Sequence, residues 1–429
     1  MARVYTAVVG CKVSQADADA LGVALAEVGH ARADVAAGSD VALVVTCCVT
    51  AEAERKSRQL VNRLAAGGRP VVVTGCAAAY RPEQFAAPGA LVVARFDVAG
   101  AVRHVAAGGG GAVAAAGRDV AGSGGGGEAG AAGGAVAAPK RPRTRFTLKA
   151  QDGCSCACAY CAVRLARGPL WSLPVGQAVE AARVGLAAGC GEIVLSGINL
   201  GLYLDPDGAD LAALVGALVE LPQLQRLRLS SIEPVHLREP LLRVLAHPKV
   251  ARHLHVPLQS ADDAVLAAMR RPYDFAEYGR RLGRVRDVLG DVMISTDVIV
   301  GFPVESEHAF GRTLAAIDPA AGLFGRVHVF PYSRRPGTAA AGLPALPPPE
   351  IRRRRAAALE AAAAARRAAA AAEVGTQVDV LVEERVGGLW RGYTSKYTRC
   401  SFSGDARPGT LARVAVQAIY EDGVRGVVA

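Results

Sequence analysis

The sequence predicts an α/β protein in three parts: an N-terminal doubly wound parallel-sheet domain, a central partial (β/α)6 barrel and a small C-terminal β-barrel. Three observations carry this reading. Short apolar runs alternate with helical patterns up to about Ala94 and again from Arg145 to Ser333, the pattern of parallel strands joined by crossover helices. A tract of almost pure Gly and Ala, residues 106–139, separates the two series and reads as a flexible linker that cannot bury a core. After Gln377 only short, closely spaced strand-like runs remain, as in small barrels of the oligonucleotide-binding kind. The boundaries drawn from these shifts are 1–105, 106–139, 140–372 and 373–429.

In the first part, Val4–Val9, Val41–Val45, Pro70–Val73 and Leu91–Ala94 read as strands. Ser14 and Asp17 suggest a capping box for a helix with Leu21, Ala24, Leu25 and Val28 on one face, stopped by Gly29. A second helix is expected over Ala51–Ala66. Cys11, Cys47 and Cys76 each fall just past the C-terminal end of a strand, where doubly wound sheets form their sites. Three sequence-distant thiols are thereby expected to converge on one sheet edge. The alternative is three buried, inert cysteines, which pack as small hydrophobes.

The central part carries strands at Phe146–Lys149, Glu192–Leu195, Leu227–Leu229, Leu254–Val256, Ser295–Val300 and Arg326–Val329. Polar residues and glycines gather at their C-termini, where barrel enzymes build their sites. The first strand runs into Gln151–Cys161, which packs four thiols into eight residues. Taken as Cys154, Cys158 and Cys161, the spacing is C-x3-C-x2-C. Thiolates so close can share one metal centre, and three is one fewer than a four-iron cluster normally takes. Such a cluster leaves one iron open to a substrate. The other reading is zinc, whose sites favour C-x2-C pairs with a second pair or a histidine further on; none follows here.

In the last part, Arg352–Arg355 opens an alanine-rich helix running to about Ala372. That charge run is either a solvated face or a surface for phosphates. Strands are expected at Val378–Val382, Leu389–Arg391, Leu411–Val416 and the final valines. Tyr393, Lys396, Tyr397 and Arg399 offer stacking and charge to a single-stranded loop; the alternative is a packing domain without RNA. The net charge of +10 over 429 residues favours a polyanionic partner such as nucleic acid. No uncharged apolar run of about 18 residues predicts a membrane span. Ten cysteines without a secretory signal point to metal or redox chemistry rather than disulfides.

Several stretches together resemble the radical SAM methylthiotransferases (SAM is S-adenosylmethionine): Gly10-Cys11-Lys12-Val13-Ser14-Gln15, Thr46–Arg58, Val73-Thr74-Gly75-Cys76, the cysteine loop, Ile193–Gly201, Ser231–Pro234, His255–Ser260 and Thr296–Pro303. Val380–Glu383 and Gly392–Tyr397 resemble the TRAM domain, an RNA-binding module. The resemblance implies a 4Fe–4S cluster on Cys154, Cys158 and Cys161, the catalytic triad, with SAM on its open iron. It implies a second 4Fe–4S cluster on Cys11, Cys47 and Cys76, a SAM pocket lined by Gly197, Glu233, Gln259 and Gly301, and RNA contact by Tyr393, Lys396, Tyr397 and Arg399. Within the family, Gly10–Val13 and Tyr393–Tyr397 look most like the MtaB type. That type adds a methylthio group to C2 of N6-threonylcarbamoyladenosine next to the tRNA anticodon. An unactivated C2–H calls for a radical, here 5′-deoxyadenosyl from SAM, with sulfur arriving through the second cluster and the methyl group from a second SAM.

The partners so implied are the tRNA anticodon loop and a flavodoxin- or ferredoxin-type reductant, for a cytoplasmic, monomeric enzyme with no membrane contact. Ser14 departs from a usual Asn, Ala79 from Gln and Val304 from Gly, while Glu305 is kept. Cys48 and Cys156 fall outside the pattern and are expected to point away and be dispensable. Removal of residues 376–429 is expected to weaken tRNA binding and spare SAM cleavage. Other readings are the same chemistry on isopentenyladenosine tRNA or on a ribosomal-protein aspartate, and a non-enzymatic iron–sulfur electron carrier or RNA-binding protein. The aspartate type would show Pro-Lys after its first cysteine, where this chain has Lys12-Val13.

Overall fold

The structure is a computed structural model that describes residues 1–93, 102 and 144–429; the Gly/Ala tract expected as a linker lies outside them. The described residues fall into two compact units. One is built on residues 1–93 and takes in Gly153–Ser155 and Ala162–Leu170; the other holds residues 144–152, Cys156–Cys161 and Trp171–Ala429.

In the first unit, β1 (Arg3–Val8), β2 (Ala31–Ala33), β3 (Val41–Thr46), β4 (Val71–Gly75) and β5 (Ala90–Val92) form a parallel sheet in the order β2-β1-β3-β4-β5. Every residue of β3 and β4 is buried, as a sheet covered on both faces requires. Leu43, Val45 and Val72 pack with Leu25 of the helix Lys12–Glu27. Val44, Val71 and Val73 pack with Val61 and Leu64 of the helix Ala51–Ala66. The connections diverge between β1 and β3, the switch point where such sheets open a crevice. Thr50 caps the second helix, accepting from the Ala53 N–H at 3.0 Å. The first is capped otherwise than expected. Cys11 is its N-cap, with no side-chain cap hydrogen bond, and Asp17 serves an arginine instead.

In the second unit, β6 (Arg145–Lys149) leads into a short antiparallel pair, β7 (Gln151–Asp152) with β8 (Trp171–Ser172). The other barrel strands are β9 (Glu192–Ser196), β10 (Arg226–Leu229), β11 (His253–His255), β12 (Met293–Val300) and β13 (Arg326–Pro331). They form two parallel sheets, β10-β9-β6 and β11-β12-β13. The bridges Leu227–Val250 and Ser231–His255 join these into one open wall. Helices such as Val175–Ala187 and Phe275–Leu289 cross between strands. The chain then forms the helix Pro348–Ala371 and a closed five-stranded barrel of β14 (Gln377–Val386), β15 (Leu389–Thr394), β16 (Arg399–Ser403), β17 (Leu411–Tyr420) and β18 (Gly423–Val428). Its core is Val380, Val382, Cys400, Phe402, Val414 and Val416. Among the described residues no helix is long and apolar enough to cross a membrane.

The small barrel closes the floor of the large one, at the strands' N-terminal ends. Glu192 opens β9 and is fully buried. It binds Arg228 Nε at 3.0 Å, pairs with Arg226, and lies 3.5 Å from Arg145 Nε. The same arginines reach the small barrel. Arg226 donates to the carbonyls of Tyr393 at 3.0 Å and Asp379 at 3.3 Å, and Arg228 to those of Thr394 and Ser395, both at 3.2 Å. The Arg228 guanidinium lies 4.4 Å from the Tyr397 ring centre and that of Arg145 4.7 Å from Tyr393, within cation–π range. Three cations around one carboxylate are tolerated because carbonyl dipoles and ring faces share the load.

Burial alone would raise the Glu192 carboxyl, but Arg228, Arg226 and Arg145 outweigh it and hold it down at about 2. A depressed carboxyl contributes stability above its unfolded value of 4.5 and loses it as pH falls toward about 2. Acid unfolding followed by circular dichroism should therefore steepen across that window. Stability that is flat there would contradict the assignment.

The basic run on the helix Pro348–Ala371 divides. Arg352 and Arg355 are exposed. Arg354 is buried and donates to Glu305 Oε2 and Glu350 Oε1, both at 2.7 Å, and Arg353 pairs with Glu350 and Glu307. Arg354 alone of the four is thus buried, while Arg353 is exposed but engaged by two carboxylates.

Candidate active site

Three thiols follow three adjacent strands of the first unit. Cys11 and Cys47 come after β1 and β3, either side of the switch point, and Cys76 starts the helix Cys76–Tyr80 directly after β4. Gly75 makes that last placement possible. Its φ is +96°, and a Cβ there would lie 2.5 Å from the Thr46 carbonyl oxygen, so only glycine lets the end of β4 approach β3 so closely. Cys11 and Cys47 share a hydrogen bond. It lowers the Cys11 thiol to about 5 and raises that of Cys47, which burial raises further. Cys76 is lowered by a hydrogen bond with Cys48 and by the positive charge of Arg167, against burial. Arg167 is buried, donates from Nε to Cys76 Sγ at 2.9 Å, and is held by Asp17 at 2.9 Å. Cys48 was expected to point away; it instead lies against Cys76, because the turn after β3 buries both of its cysteines.

The second thiol set sits in the loop after β7. The Cys161 N–H closes a turn on the Cys158 carbonyl at 3.2 Å. Arg271 Nη1 donates to Cys158 Sγ at 3.3 Å and to the Tyr160 hydroxyl at 3.4 Å. Its Nη2 pairs with Glu233 and reaches the Tyr273 hydroxyl at 2.7 Å. Arg271 is buried, so one guanidinium ties a loop thiol to a carboxylate expected in the SAM pocket. Cys156 accepts from Asn199 Nδ2 at 3.4 Å.

The other expected pocket residues lie on the strand ends of the second unit. A Cβ on Gly197 would lie 2.9 Å from Gln151 Oε1, the atom that accepts the Asn199 N–H at 2.9 Å. Gln259 is buried with φ +70°. Such a backbone costs about 1–3 kcal/mol and is held here by hydrogen bonds to β12, Gln259 N to Asp297 O at 2.8 Å and Ile299 N to Gln259 O at 2.9 Å. Gly301 donates its N–H to Glu305 Oε2 at 2.7 Å, and Arg354 holds that carboxylate from behind. Val304 is half exposed and does not displace this contact. Ser196 Oγ, Ser230 Oγ and Asn199 Oδ1, at the ends of β9 and β10, are buried without hydrogen-bond partners among the described residues. Buried polar atoms are normally satisfied, so these mark where a polar ligand belongs.

The residues expected to meet RNA also make contacts within the chain. Tyr393 and Tyr397 pack on the barrel floor, Lys396 pairs with Asp291, and Arg399 pairs with Glu421 and Asp422. All four keep part of their surface exposed.

Known proteins locate this arrangement. The radical SAM superfamily model matches residues 148–317, and the model of the uncharacterized protein family UPF0004 matches residues 3–94. A threonylcarbamoyladenosine tRNA methylthiotransferase MtaB of Thermotoga maritima is 31% identical over 435 residues, 97% of this chain and 94% of its own length. The chain belongs to the radical SAM methylthiotransferases. A second MtaB relative, of Bacillus subtilis, is 34% identical over 80% of the chain and 76% of its own length. A tRNA-2-methylthio-N(6)-dimethylallyladenosine synthase of Herpetosiphon aurantiacus is 31% identical over 91% and 89%. Among solved structures, the radical SAM methyltransferase TsrM of Kitasatospora setae shares the fold at 15% identity, with a TM-score of 0.56 over 79% of this chain and 75% of its own.

Membership of the radical SAM family brings SAM and a 4Fe–4S cluster. The donor set fits: the C-x3-C-x2-C thiols lie inside the matched region, with a buried cation on Cys158 to offset thiolate charge and orphaned polar atoms at the neighbouring strand ends.

Proposed function

We propose that this methylthiotransferase adds a methylthio group to C2 of N6-threonylcarbamoyladenosine next to the anticodon of tRNA. The observation that carries the reading is the near end-to-end match to a relative named for that activity. The match to a dimethylallyladenosine synthase over most of the chain supports a second reading, the same chemistry on an isopentenylated adenosine.

Cys154, Cys158 and Cys161 would hold the 4Fe–4S cluster, which would supply the electron for reductive cleavage of SAM. Cys11, Cys47 and Cys76 would hold a second 4Fe–4S cluster, through which sulfur would be delivered. Around the first set, Arg271 fixes the Cys158 sulfur against Glu233 and offsets its charge. Gln259 and the Glu305-anchored loop at Gly301 shape the SAM pocket at the strands' C-terminal ends, and Ser196, Ser230 and Asn199 supply its hydrogen bonds. Arg167 does for Cys76 what Arg271 does for Cys158. The reductant is of flavodoxin or ferredoxin type, the enzyme a cytoplasmic monomer, and the functional parts divide at 105, 139 and 372.

The test gives the reconstituted enzyme two tRNAs, one with threonylcarbamoyladenosine and one with isopentenyladenosine, and measures methylthio product by mass. Product on the first is expected. Product on the isopentenyl tRNA alone would establish the second reading, and product on neither would remove tRNA as the substrate.

A further inference from the structure

One cluster of titratable side chains has no place in the chemistry above. His255 on β11, Asp297 on β12 and His328 on β13 lie side by side, their ligand atoms all within 4.8 Å of one another. The parallel register sets Asp297 directly opposite His328. Asp297 Oδ2 lies 3.2 Å from His255 Nε2 and Oδ1 lies 3.1 Å from His328 Nδ1. The other nitrogen of His255 is engaged by Ser295 Oγ at 2.8 Å, and the two imidazoles stack at 5.4 Å. Exposure rises across the group, from 13% of the His255 side chain through 24% of Asp297 to 42% of His328. The cluster is therefore anchored at one end and open at the other. Its open end is His328 Nε2, on the outer strand of the β11-β12-β13 sheet.

Its level in the barrel is fixed by strand geometry. Alternate residues of a strand share a face, so Asp297 and Ile299 point the same way, about 7 Å apart at a rise of roughly 3.3 Å per residue. Ile299 and Phe330, the next rung up, pack in one cluster with Tyr160, which precedes Cys161. Ser295 and His253, one rung down, lead to the Tyr397 ring, 5.0 Å from His253. The His–Asp–His group thus stands between the cysteine loop above and the closed floor below, facing the lumen.

We propose that His328, oriented by Asp297 and backed by His255, is the specificity-determining contact to the threonylcarbamoyl group of the substrate, through Nε2. This rests on the threonylcarbamoyladenosine reading. That substituent carries a ureido N–H, a hydroxyl and a carboxylate; with Nδ1 on Asp297, Nε2 accepts from the N–H or the hydroxyl as neutral imidazole and donates to the carboxylate as imidazolium. An isopentenyl group offers none and would cover the nitrogen without pairing it. A site built to hydrogen-bond its substrate rejects an analogue lacking the group far better than an apolar pocket rejects an extra one. Asp297 is the means of aiming. Burial would raise its carboxyl, but hydrogen bonds from His255 and His328 hold it well below the usual range, so it stays ionised and fixes both rings.

The experiment uses full-length, reconstituted enzyme, with wild type, His328→Phe and His328→Gln side by side. Each is given tRNA bearing threonylcarbamoyladenosine, isopentenyladenosine or plain adenosine at the modified position, and both Kd and kcat/KM are measured. Iron content and melting temperature show that each variant is folded. Wild type should bind the threonylcarbamoyl tRNA more tightly than the plain one. His328→Phe should lose about tenfold to a hundredfold of that preference, the range for a hydrogen bond to a charged group, with plain-adenosine binding unmoved. His328→Gln, which keeps a polar end, should recover part of it. A ratio in His328→Phe equal to that of wild type would overturn the inference and leave the proposed function standing. Wild-type product on the isopentenyl tRNA alone would end both, and the two failures are told apart by the wild-type arm.

Discussion

Deletion of residues 376–429 should abolish SAM cleavage by unfolding the large barrel, not merely weaken RNA binding. The sequence suggests the opposite, a detachable RNA module. In the structure, Arg226 and Arg228 are buried with Glu192, and most of their remaining N–H groups are satisfied by carbonyls of Asp379, Tyr393, Thr394 and Ser395. Deletion strips those acceptors and the ring faces from three clustered cations. Breaking a buried ionic arrangement on one side costs about 3–5 kcal/mol, set against a total stability of about 5–15 kcal/mol. The apolar core of β14–β18 and its packing against Ala370 are lost as well. The truncated chain should be insoluble or melt without a cooperative transition. A soluble 1–375 fragment that melts cooperatively and cleaves SAM at the full rate would disprove the floor's role. Tyr397→Ala, which keeps the carbonyls, should melt lower than wild type but remain folded.

Cys158→Ala should reduce SAM cleavage to background and remove about half of the reconstituted iron, the share of one of two equal clusters. Cys156→Ala should keep both. The four loop thiols are too close in sequence to be told apart by position alone. The structure separates two of them: Cys158 is met by the buried Arg271 guanidinium, Cys156 by the neutral amide of Asn199. A cation stabilises thiolate, the form that binds metal. Iron retained in Cys158→Ala and lost in Cys156→Ala would show that the ligand set is misassigned.

Much of this site could be read before any coordinates. The cysteines at the ends of β1, β3 and β4 were legible because a buried parallel strand is a continuous apolar run and its end is sharp. The helix Ala51–Ala66 was legible because Thr50 and the acidic Glu52 and Glu54 mark its start. What escaped depends on tertiary direction. Arg270 and Arg271 are adjacent and chemically identical; the left-handed φ of +58° at Arg270 decides that Arg271 is the one turned to Cys158. Asp17 stands at capping distance from Ser14, yet Arg167, 150 positions along, claims it. Tyr393 and Tyr397 read as stacking platforms, and nothing in their local sequence says that Arg145 and Arg228, far away in the chain, lie against the rings. β2, with three residues, is too short for any periodicity to register. The His255–Asp297–His328 group comes from three separate strands, and only the register brings it together.

The seal at the barrel floor has a consequence for how this chain can diverge. Arg226 and Arg228 grip the small barrel by backbone oxygens at Asp379, Tyr393, Thr394 and Ser395 rather than by those residues' side chains. A carbonyl is the same whichever side chain sits beside it. Mutations at Asp379, Thr394 or Ser395 therefore leave the grip intact as long as the chain path is kept, while a change at Glu192, Arg226 or Arg228 has no such freedom. Across descendants of this sequence the arginines and their glutamate should stay fixed, and the surface they hold should drift.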